Sequence, residues 1–155
     1  MRHYSLVIED EAGLAEVARK LADVFRNKSI LVFLEGDLGA GKTTFMRHYL
    51  EAMGHHGTVV SPTYTLIEIY DLENINIVHS DCYRISEDDI YFLDFPAYLA
   101  EIKNHQIWIE WAEQFSHVLP AHDLKVQLIH LGQEKRELVL QVPACLGLEL
   151  DVIKN

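Results

Sequence analysis

Near the N-terminus, the spacing of hydrophobic residues changes from a period of two to a helical period. Residues Tyr4–Ile8 alternate as in a short strand, and Asp10 has the short acceptor side chain of a helix N-cap. The apolar positions that follow lie on one helical face, made of Leu14, Val17, Ala18, Leu21 and Phe25. This pattern predicts a strand and then an amphipathic helix.

The next apolar run is continuous rather than periodic. Ser29–Leu34 is almost wholly apolar, which is typical of a central strand buried on both faces. A second helix is predicted from near Lys42, with Gly54 as its C-cap. Its buried face would consist of Phe45, Met46, Tyr49, Leu50 and Met53.

The second half of the chain predicts short strands and few helices. The predicted strands are Tyr64–Tyr70, Ile75–His79, Ile107–Ile109, Leu124–Leu131 and Leu138–Val142. A short helix is expected over Glu87–Leu93, with Ser86 as its N-cap and Pro96 ending or interrupting it. The last two strands flank Gly132–Arg136, as the strands of a hairpin would.

A glycine-rich loop lies between the central strand and the second helix. Its sequence is Gly36-Asp37-Leu38-Gly39-Ala40-Gly41-Lys42-Thr43, which matches the phosphate-binding pattern G-x-x-x-x-G-K-[ST]. Glycines let the backbone approach phosphates, and successive N–H groups with the helix N-terminus attract anions. Lys42 can reach the β- and γ-phosphates, Thr43 can ligate Mg²⁺, and Thr44 adds a hydroxyl near the α-phosphate. The loop predicts nucleotide binding.

The elements and the loop together define the expected fold. Strands alternate with helices early and pair as a hairpin late. We therefore expect an α/β, P-loop NTPase-like mixed sheet, parallel at the nucleotide site and flanked by helices, with a late antiparallel hairpin. No repeat or linker divides the chain, so residues 1–155 are expected to form one P-loop ATPase domain.

Two acids follow predicted core strands and are candidates for the remaining phosphate chemistry. Asp81 follows Ile75–His79, and Glu110 follows Ile107–Ile109. At the carboxyl ends of core strands, both would face the crevice of the phosphate loop. Either can hold Mg²⁺ or orient the attacking water, although a rim acid such as Glu110 can also simply form a surface ion pair.

Three further features allow more than one interpretation. Ser61–Thr65 offers hydroxyls that can sense a γ-phosphate, but these residue types are also common in plain turns. Arg84 can stabilise phosphate charge or pair with an acid. His55, His56 and His79 are weak metal candidates, and surface or core histidines are favoured instead because no third and fourth ligands are spaced to join them.

Composition and net charge limit the binding partners and the cellular compartment that we expect for this protein. Of the 155 residues, 49 % are hydrophobic and 24 % are charged, which suits a globular protein. The net charge of −11, from 13 basic and 24 acidic residues, disfavours direct binding of nucleic acid. We found no bilayer-spanning run and no signal-peptide pattern, so a cytoplasmic protein without membrane contact is expected. The two cysteines, Cys82 and Cys145, are interpreted as buried apolar residues.

Four segments together resemble the TsaE family, formerly called YjeE. They are Gly36–Thr44, Ser61-Pro62-Thr63-Tyr64-Thr65-Leu66, His79-Ser80-Asp81-Cys82-Tyr83-Arg84 and Ile109-Glu110-Trp111. Many families share the first segment, whereas the other three are more selective. The resemblance covers most of the chain and is tightest over Leu34–Trp111.

The resemblance implies a specific activity. Family members bind ATP and Mg²⁺, hydrolyse ATP slowly alone, and act with TsaB and TsaD. That pair transfers a threonylcarbamoyl group onto the adenosine beside the anticodon of ANN-decoding tRNAs. The ATPase would cycle the complex, and tRNA would be contacted only indirectly.

The resemblance also assigns roles to residues. Lys42 and Thr43 would serve phosphate and metal, Asp81 and Glu110 would be Walker-B-like acids, and Ser61–Thr65 would be a switch loop. Trp111 would lie beside the nucleotide and Arg136 near the adenine. Two departures are Phe95-Pro96, where the family usually has a glycine, and Cys82, where larger aliphatic residues are common.

Three rival functions differ in the sequence features that they require. A GTPase normally uses an Asn-Lys-x-Asp segment, but Asn27-Lys28 is followed by Ser29-Ile30 and precedes the loop. A small-molecule P-loop kinase usually needs an Arg-rich lid, whereas only Arg84 and Arg136 follow the second helix. A nucleotide-gated assembly module with incidental hydrolysis is an alternative that fits the same sequence features.

Overall fold

The phosphate loop lies at the carboxyl ends of the central strands of a seven-stranded mixed sheet. The computed structural model describes residues 1–92, 97, 104–146 and 149–154. Within these residues the strands are β1 Arg2–Ile8, β2 Ile30–Glu35, β3 Ile67–Asp71, β4 Asn76–Asp81, β5 His105–Glu110, β6 Leu124–Gly132 and β7 Lys135–Val142. The helices are α1 Glu11–Phe25, α2 Lys42–Met53 and α3 Glu87–Phe92, with 3-10 helices at Ala112–Phe115 and Glu149–Lys154.

The strand order is β1-β7-β6-β2-β5-β4-β3. The four central strands β6, β2, β5 and β4 are parallel, whereas β3, β7 and β1 pair antiparallel with their neighbours. The carboxyl ends of β2, β4 and β5 therefore meet at one edge of the sheet. This arrangement confirms the expected α/β mixed sheet that is parallel at the phosphate loop and ends in an antiparallel hairpin.

Both faces of β2 are buried, as its continuous apolar sequence predicts. Ile30, Val32 and Leu34 pack in the core beneath α1 and α2. Leu31 and Phe33 point into a second core with residues of β4, β5 and the 3-10 helix Ala112–Phe115. The alternation fixes β2 in the middle of the fold and leaves its carboxyl end at the phosphate loop.

The two long helices follow their predicted boundaries closely. All five apolar residues of the predicted α1 face are buried, and the Asp10 carboxylate accepts a hydrogen bond from Gly13 N–H at 2.9 Å. In α2 the predicted apolar face is also buried, and Gly54 ends the helix with φ 106°. Both cap predictions are confirmed.

The strand predicted over Tyr64–Tyr70 is wrong at its start, because β3 begins at Ile67. The preceding residues form a turn in which Leu66 N–H donates to the Pro62 carbonyl at 2.8 Å. Leu66 has φ 68°, and its carbonyl accepts from Asp81 N–H at 3.0 Å. The turn satisfies these backbone groups and prevents the strand from starting earlier.

The other elements agree with prediction apart from their boundaries. β4 and β5 extend one or more residues further than predicted and include Asp81 and Glu110. The hairpin is confirmed, with a tighter loop between Gly132 and Lys135. α3 begins after Ser86, whose hydroxyl accepts from Asp89 N–H.

Some expectations need correction or lie outside the described residues. Cys82 is buried as expected, but Cys145 is exposed because it lies in the turn after β7. Leu93 and the Phe95-Pro96 departure lie outside the residues that the structure describes. None of the helices in the described part is long and apolar enough to cross a bilayer.

Candidate phosphate-binding site

The glycine loop joins β2 to α2 in a conformation that only glycine adopts easily. Gly41 has φ 105°, and a Cβ there would lie 2.8 Å from Arg136 Nε. Gly36 has φ 152°, and a Cβ there would lie 2.8 Å from the Leu128 carbonyl oxygen. The loop is therefore enclosed by the late hairpin as well as by its own helix, and these two positions exclude side chains.

Arg136 fastens the hairpin to this loop. Its Nε donates to the Ala40 carbonyl at 2.7 Å, and Nη1 donates to the Glu134 carbonyl at 2.8 Å. The guanidinium lies beside the loop and lines the same cavity as Lys42. It adds positive charge where an anion would enter.

Lys42 is 7 % exposed and lies at the start of α2. Its ammonium donates to the Gly36 carbonyl and lies 3.9 Å from Glu110 Oε2. The same nitrogen is 4.9 Å from the centre of the Trp111 ring, in a cation–π position. The lysine therefore sits between the loop and the carboxyl end of β5.

Asp81 and Glu110 are neighbours at the ends of adjacent parallel strands. They are the last pair of the β4–β5 register, and each is 3 % exposed. Asp81 Oδ1 accepts from Tyr83 N–H at 2.7 Å, and Oδ2 accepts from the Thr63 hydroxyl at 3.0 Å. Thr63 also lies 2.9 Å from the Ser61 hydroxyl, so the predicted switch segment is tied to this acid.

Glu110 has a partner that sequence reasoning did not identify. His79 Nε2 lies 2.9 Å from Glu110 Oε1, and the His79 side chain is wholly buried. The sequence favoured a surface or core histidine over a metal ligand at position 79, and His79 is indeed in the core. The contact with Glu110 was not predicted, although the position of His79 two residues before Asp81 in an apolar strand was a usable signal. Two residues along a strand share a face, so His79 and Asp81 point the same way.

A cavity of about 260 Å³ contains most of the predicted residues. Its lining includes Asp37, Leu38, Gly39, Gly41, Lys42, Thr43, Thr44, Ser61, Thr63, Asp81, Tyr83, Glu110, Trp111 and Arg136. Of the predicted binding residues, Gly36 and Ala40 are outside this lining. Ala40 is buried and contributes its carbonyl to Arg136, whereas Gly36 lines a neighbouring cavity of about 430 Å³.

Trp111 contributes to the linings of both cavities, as Asp37 does. It has φ 58°, a left-handed conformation that turns the chain sharply after β5. Its ring lies 4.9 Å from the Tyr83 ring, between centroids. Trp111 therefore contacts both Lys42 and Tyr83 in the cavity lining.

Arg84 lies away from the cavity lining. Its guanidinium carbon is 5.3 Å from the centre of the exposed Tyr64 ring. His55 packs edge-on against Tyr70, with 4.8 Å between ring centroids. The structure therefore places neither the arginine nor this histidine with the acids.

The donor atoms in the cavity are suited to Mg²⁺. Thr43, Asp81 and Glu110 offer a hydroxyl and carboxylate oxygens, which are hard ligands. In the described part of the chain, no three His, Cys, Asp or Glu residues form a metal-binding group. An Mg²⁺ ion bound with a nucleotide needs only one or two carboxylates, because phosphates and waters complete its shell.

Burial raises the pKa of two titratable side chains near the site. Burial, with a smaller effect of the Asp81 charge, raises the pKa of the Cys82 thiol to about 12, so this cysteine stays protonated near neutral pH. Burial raises the pKa of Glu35, in the neighbouring cavity, to about 7. The positive charge of Lys125 offsets part of this rise in the pKa of Glu35. The Lys125 nitrogen lies 2.7 Å from a carboxylate oxygen of Glu35 and 2.6 Å from one of Glu113.

A strand, glycine loop and helix of this geometry, with two acids on neighbouring parallel strands, define the P-loop class of α/β proteins. The family model described as "Threonylcarbamoyl adenosine biosynthesis protein TsaE" matches residues 8–138. The chain belongs to the TsaE family.

Individual relatives agree with the family match. The chain is 35 % identical to the tRNA threonylcarbamoyladenosine biosynthesis protein TsaE of Haemophilus influenzae, over 91 % of this chain and 92 % of that protein. It is 34 % identical to the Bacillus subtilis protein of the same name, over 77 % and 73 % of the two chains. The crystal structure of Bacillus subtilis YdiB is similar with a TM-score of 0.76 and 25 % identity, covering 99 % and 95 %.

Proposed function

We propose that this protein is an Mg²⁺-dependent ATPase that supports threonylcarbamoylation of the adenosine next to the anticodon of ANN-decoding tRNAs. It would act with TsaB and TsaD. One observation carries the proposal: Lys42, Asp81 and Glu110 converge on one cavity at the end of the glycine loop. The names of the relatives supply the pathway.

The described contacts support distinct roles for the cavity residues. The loop N–H groups and Lys42 would bind the β- and γ-phosphates, with Arg136 adding charge at the other side of the loop. When bound, Mg²⁺ supplies positive charge against the phosphate oxygens. Thr43 and Asp81 line the cavity and would offer oxygen ligands to that ion.

Glu110 is the better placed of the two acids to orient the attacking water. Both oxygens of Asp81 already accept hydrogen bonds from Tyr83 and Thr63. Glu110 Oε1 is occupied by His79, whereas Oε2 lies 3.9 Å from the Lys42 ammonium and accepts no hydrogen bond from the described residues. Oε2 can therefore accept a hydrogen bond from a water in line with the γ-phosphate.

Exposed apolar side chains at the mouth of the cavity support action with partner proteins. Leu38 is 72 % exposed, Tyr64 82 % and Tyr83 46 %. Leu38 and Tyr83 line the cavity itself, and Tyr64 is in the adjoining turn. Side chains of this kind commonly mark a protein contact surface, and TsaB with TsaD would supply the surface that covers them.

The test is reconstitution of tRNA modification from purified protein, TsaB, TsaD, tRNA and threonylcarbamoyl-adenylate. We expect multiple turnovers to require this protein and ATP. Lys42→Ala should abolish ATP turnover and sustained modification, because phosphate charge at the transition state loses its nearest cation. Lys20→Ala, which alters only an α1 ion pair with Glu16, is the matched control and should behave as wild type.

Two results would contradict parts of the proposal. Sustained modification by Lys42→Ala would show that the loop does not power the cycle. Full pathway activity of a Glu110→Gln variant without ATP turnover would instead favour a nucleotide-gated assembly module.

A further inference from the structure

We propose that His79 is a positioning residue, which holds the Glu110 carboxylate in the orientation needed for hydrolysis. This inference deepens the proposed function and rests on it. His79 would donate its Nε2–H to Glu110 Oε1 and so direct Oε2 into the phosphate cavity. The inference concerns no direct contact of His79 with the nucleotide.

The contact is close and shielded from water. His79 Nε2 and Glu110 Oε1 are 2.9 Å apart, with the histidine side chain fully buried and the glutamate side chain 4 % exposed. A hydrogen bond to a carboxylate is stronger at low local dielectric than in water. It is therefore able to fix the torsion of a side chain that would otherwise rotate.

The surroundings of His79 determine which nitrogen carries the proton. Nδ1 is buried and has no hydrogen-bond partner within the described residues. A carboxylate only accepts hydrogen bonds, so Nε2 must carry the hydrogen that faces Glu110. Nε2 is therefore the donor to Glu110 Oε1.

Strand geometry explains why histidine suits this position. His79 stands opposite Trp108 in the β4–β5 register, and Glu110 stands opposite Asp81. His79 thus points to the same face as the two acids but lies one side-chain position further from the loop. It can reach Glu110 from below, on the side away from the cavity, and does not line the cavity itself.

The first test compares two substitutions at this position. His79→Leu removes the donor and keeps an apolar side chain, whereas His79→Gln keeps an N–H at a similar distance along the side chain. We expect His79→Leu to lower kcat for ATP about 10- to 100-fold, the usual effect of losing such a supporting partner. KM and nucleotide affinity should change far less, because the loop and Lys42 are untouched.

His79→Gln should restore most of the lost kcat. The control is His122→Leu, which removes a partly buried histidine that packs on Phe33 with 4.8 Å between ring centroids. This control should leave kcat unchanged. Wild-type turnover in His79→Leu, or equal losses in both His79 variants that remain folded, would overturn the positioning role while leaving the ATPase proposal standing.

The second test needs no turnover. Nitrogen-15 NMR of the histidine rings in the nucleotide-free protein should show His79 with a protonated Nε2. Glu110→Ala should shift the Nε2–H resonance of His79 and leave that of His122 unchanged. An Nε2 of His79 that carries no proton, or a His79 signal that does not respond to Glu110→Ala, would overturn the inference even if His79→Leu fails to fold.

If the wild-type protein does not hydrolyse ATP with its partners, the proposed function fails, and the role in hydrolysis fails with it. The NMR result would still show whether the hydrogen bond exists. The two failures are therefore distinguishable.

Discussion

Arg136 shapes the phosphate loop from a distance of almost a hundred residues along the chain. Its Nε both donates to the Ala40 carbonyl and occupies the space where a side chain at Gly41 would begin. The glycine is therefore required for two reasons, its φ of 105° and the approach of the guanidinium. A comparison with Gly39 separates these reasons, because its φ is 80° but no atom lies within 4 Å of a Cβ there.

We expect Gly41→Ala to destabilise the protein more than Gly39→Ala. Both substitutions place alanine in the left-handed region, at roughly 1–2 kcal/mol each. Gly41→Ala should also displace Arg136 from Ala40, which adds about 1–3 kcal/mol for a lost charged hydrogen bond. Urea unfolding of the two variants measures the difference.

The double substitution Gly41→Ala with Arg136→Leu is the control. Removing the guanidinium should bring the further cost of Gly41→Ala close to that of Gly39→Ala. If the Gly41→Ala penalty is the same in the Arg136→Leu background as in the wild type, the arginine is not the cause.

Single residues also show how far sequence reasoning reaches. The loop from Gly36 to Thr43 predicted its own setting, because its pattern is local and its strand and helix are adjacent. The contact between His79 and Glu110 joins two strands 31 residues apart, and the sequence does not state which strands are neighbours. Only the β4–β5 register brings that pair together.

Among the elements, the turn before β3 is where the pattern predicted the wrong structure. Apolar and β-branched residues from Tyr64 onwards favour a strand, yet Tyr64 and Thr65 are exposed and Leu66 closes a turn on Pro62. Two hydrogen bonds with Asp81 outweigh the strand propensity. The Thr63 hydroxyl donates to the Asp81 carboxylate, and the Leu66 carbonyl accepts from Asp81 N–H. The segment thereby presents Ser61 and Thr63 to the cavity.

Thr63→Val should loosen this turn. The substitution keeps the shape of the side chain and removes its hydrogen bond to Asp81, worth about 1.5–3 kcal/mol with a charged acceptor. We expect amide hydrogen exchange at residues 61–66 to quicken by roughly tenfold or more, because local opening becomes easier. Exchange measured by NMR or mass spectrometry tests this expectation.

Thr65→Val is the matched control, since Thr65 lies in the same turn but is exposed. It should leave exchange in the turn unchanged. Equal exchange rates in Thr63→Val and the wild type would mean that the Asp81 contact does not hold the segment.

For the molecule as a whole, charge sets the expected relation to tRNA. Thirteen basic residues stand against 24 acidic ones, giving a net charge of −11. Binding to a polyanion depends on clustered Lys and Arg that displace counterions. Part of the basic set is already paired, as Arg47 is with Glu11 and Lys125 is with Glu35.

We therefore expect the isolated protein to show no binding of tRNA at about 150 mM salt, the range in which electrostatic binding is already weakened. Filter binding or gel shift across a salt series measures this. The mixture with TsaB and TsaD is the positive comparison. Tight binding by the isolated protein, with a steep dependence on salt, would contradict the expectation.

The position of β1 has a consequence for how the protein is made. β1 is synthesised long before β7, its neighbour in the finished sheet, which ends at Val142. β2 is likewise synthesised long before its neighbour β6. The loop that follows β2 lacks its hydrogen bond from Arg136 until β7 has been synthesised. Such pairings between distant parts of the chain slow folding. A nascent chain that stops before the hairpin therefore has its glycine loop but lacks Arg136, so the loop can reach its final form only after the last strands have been synthesised.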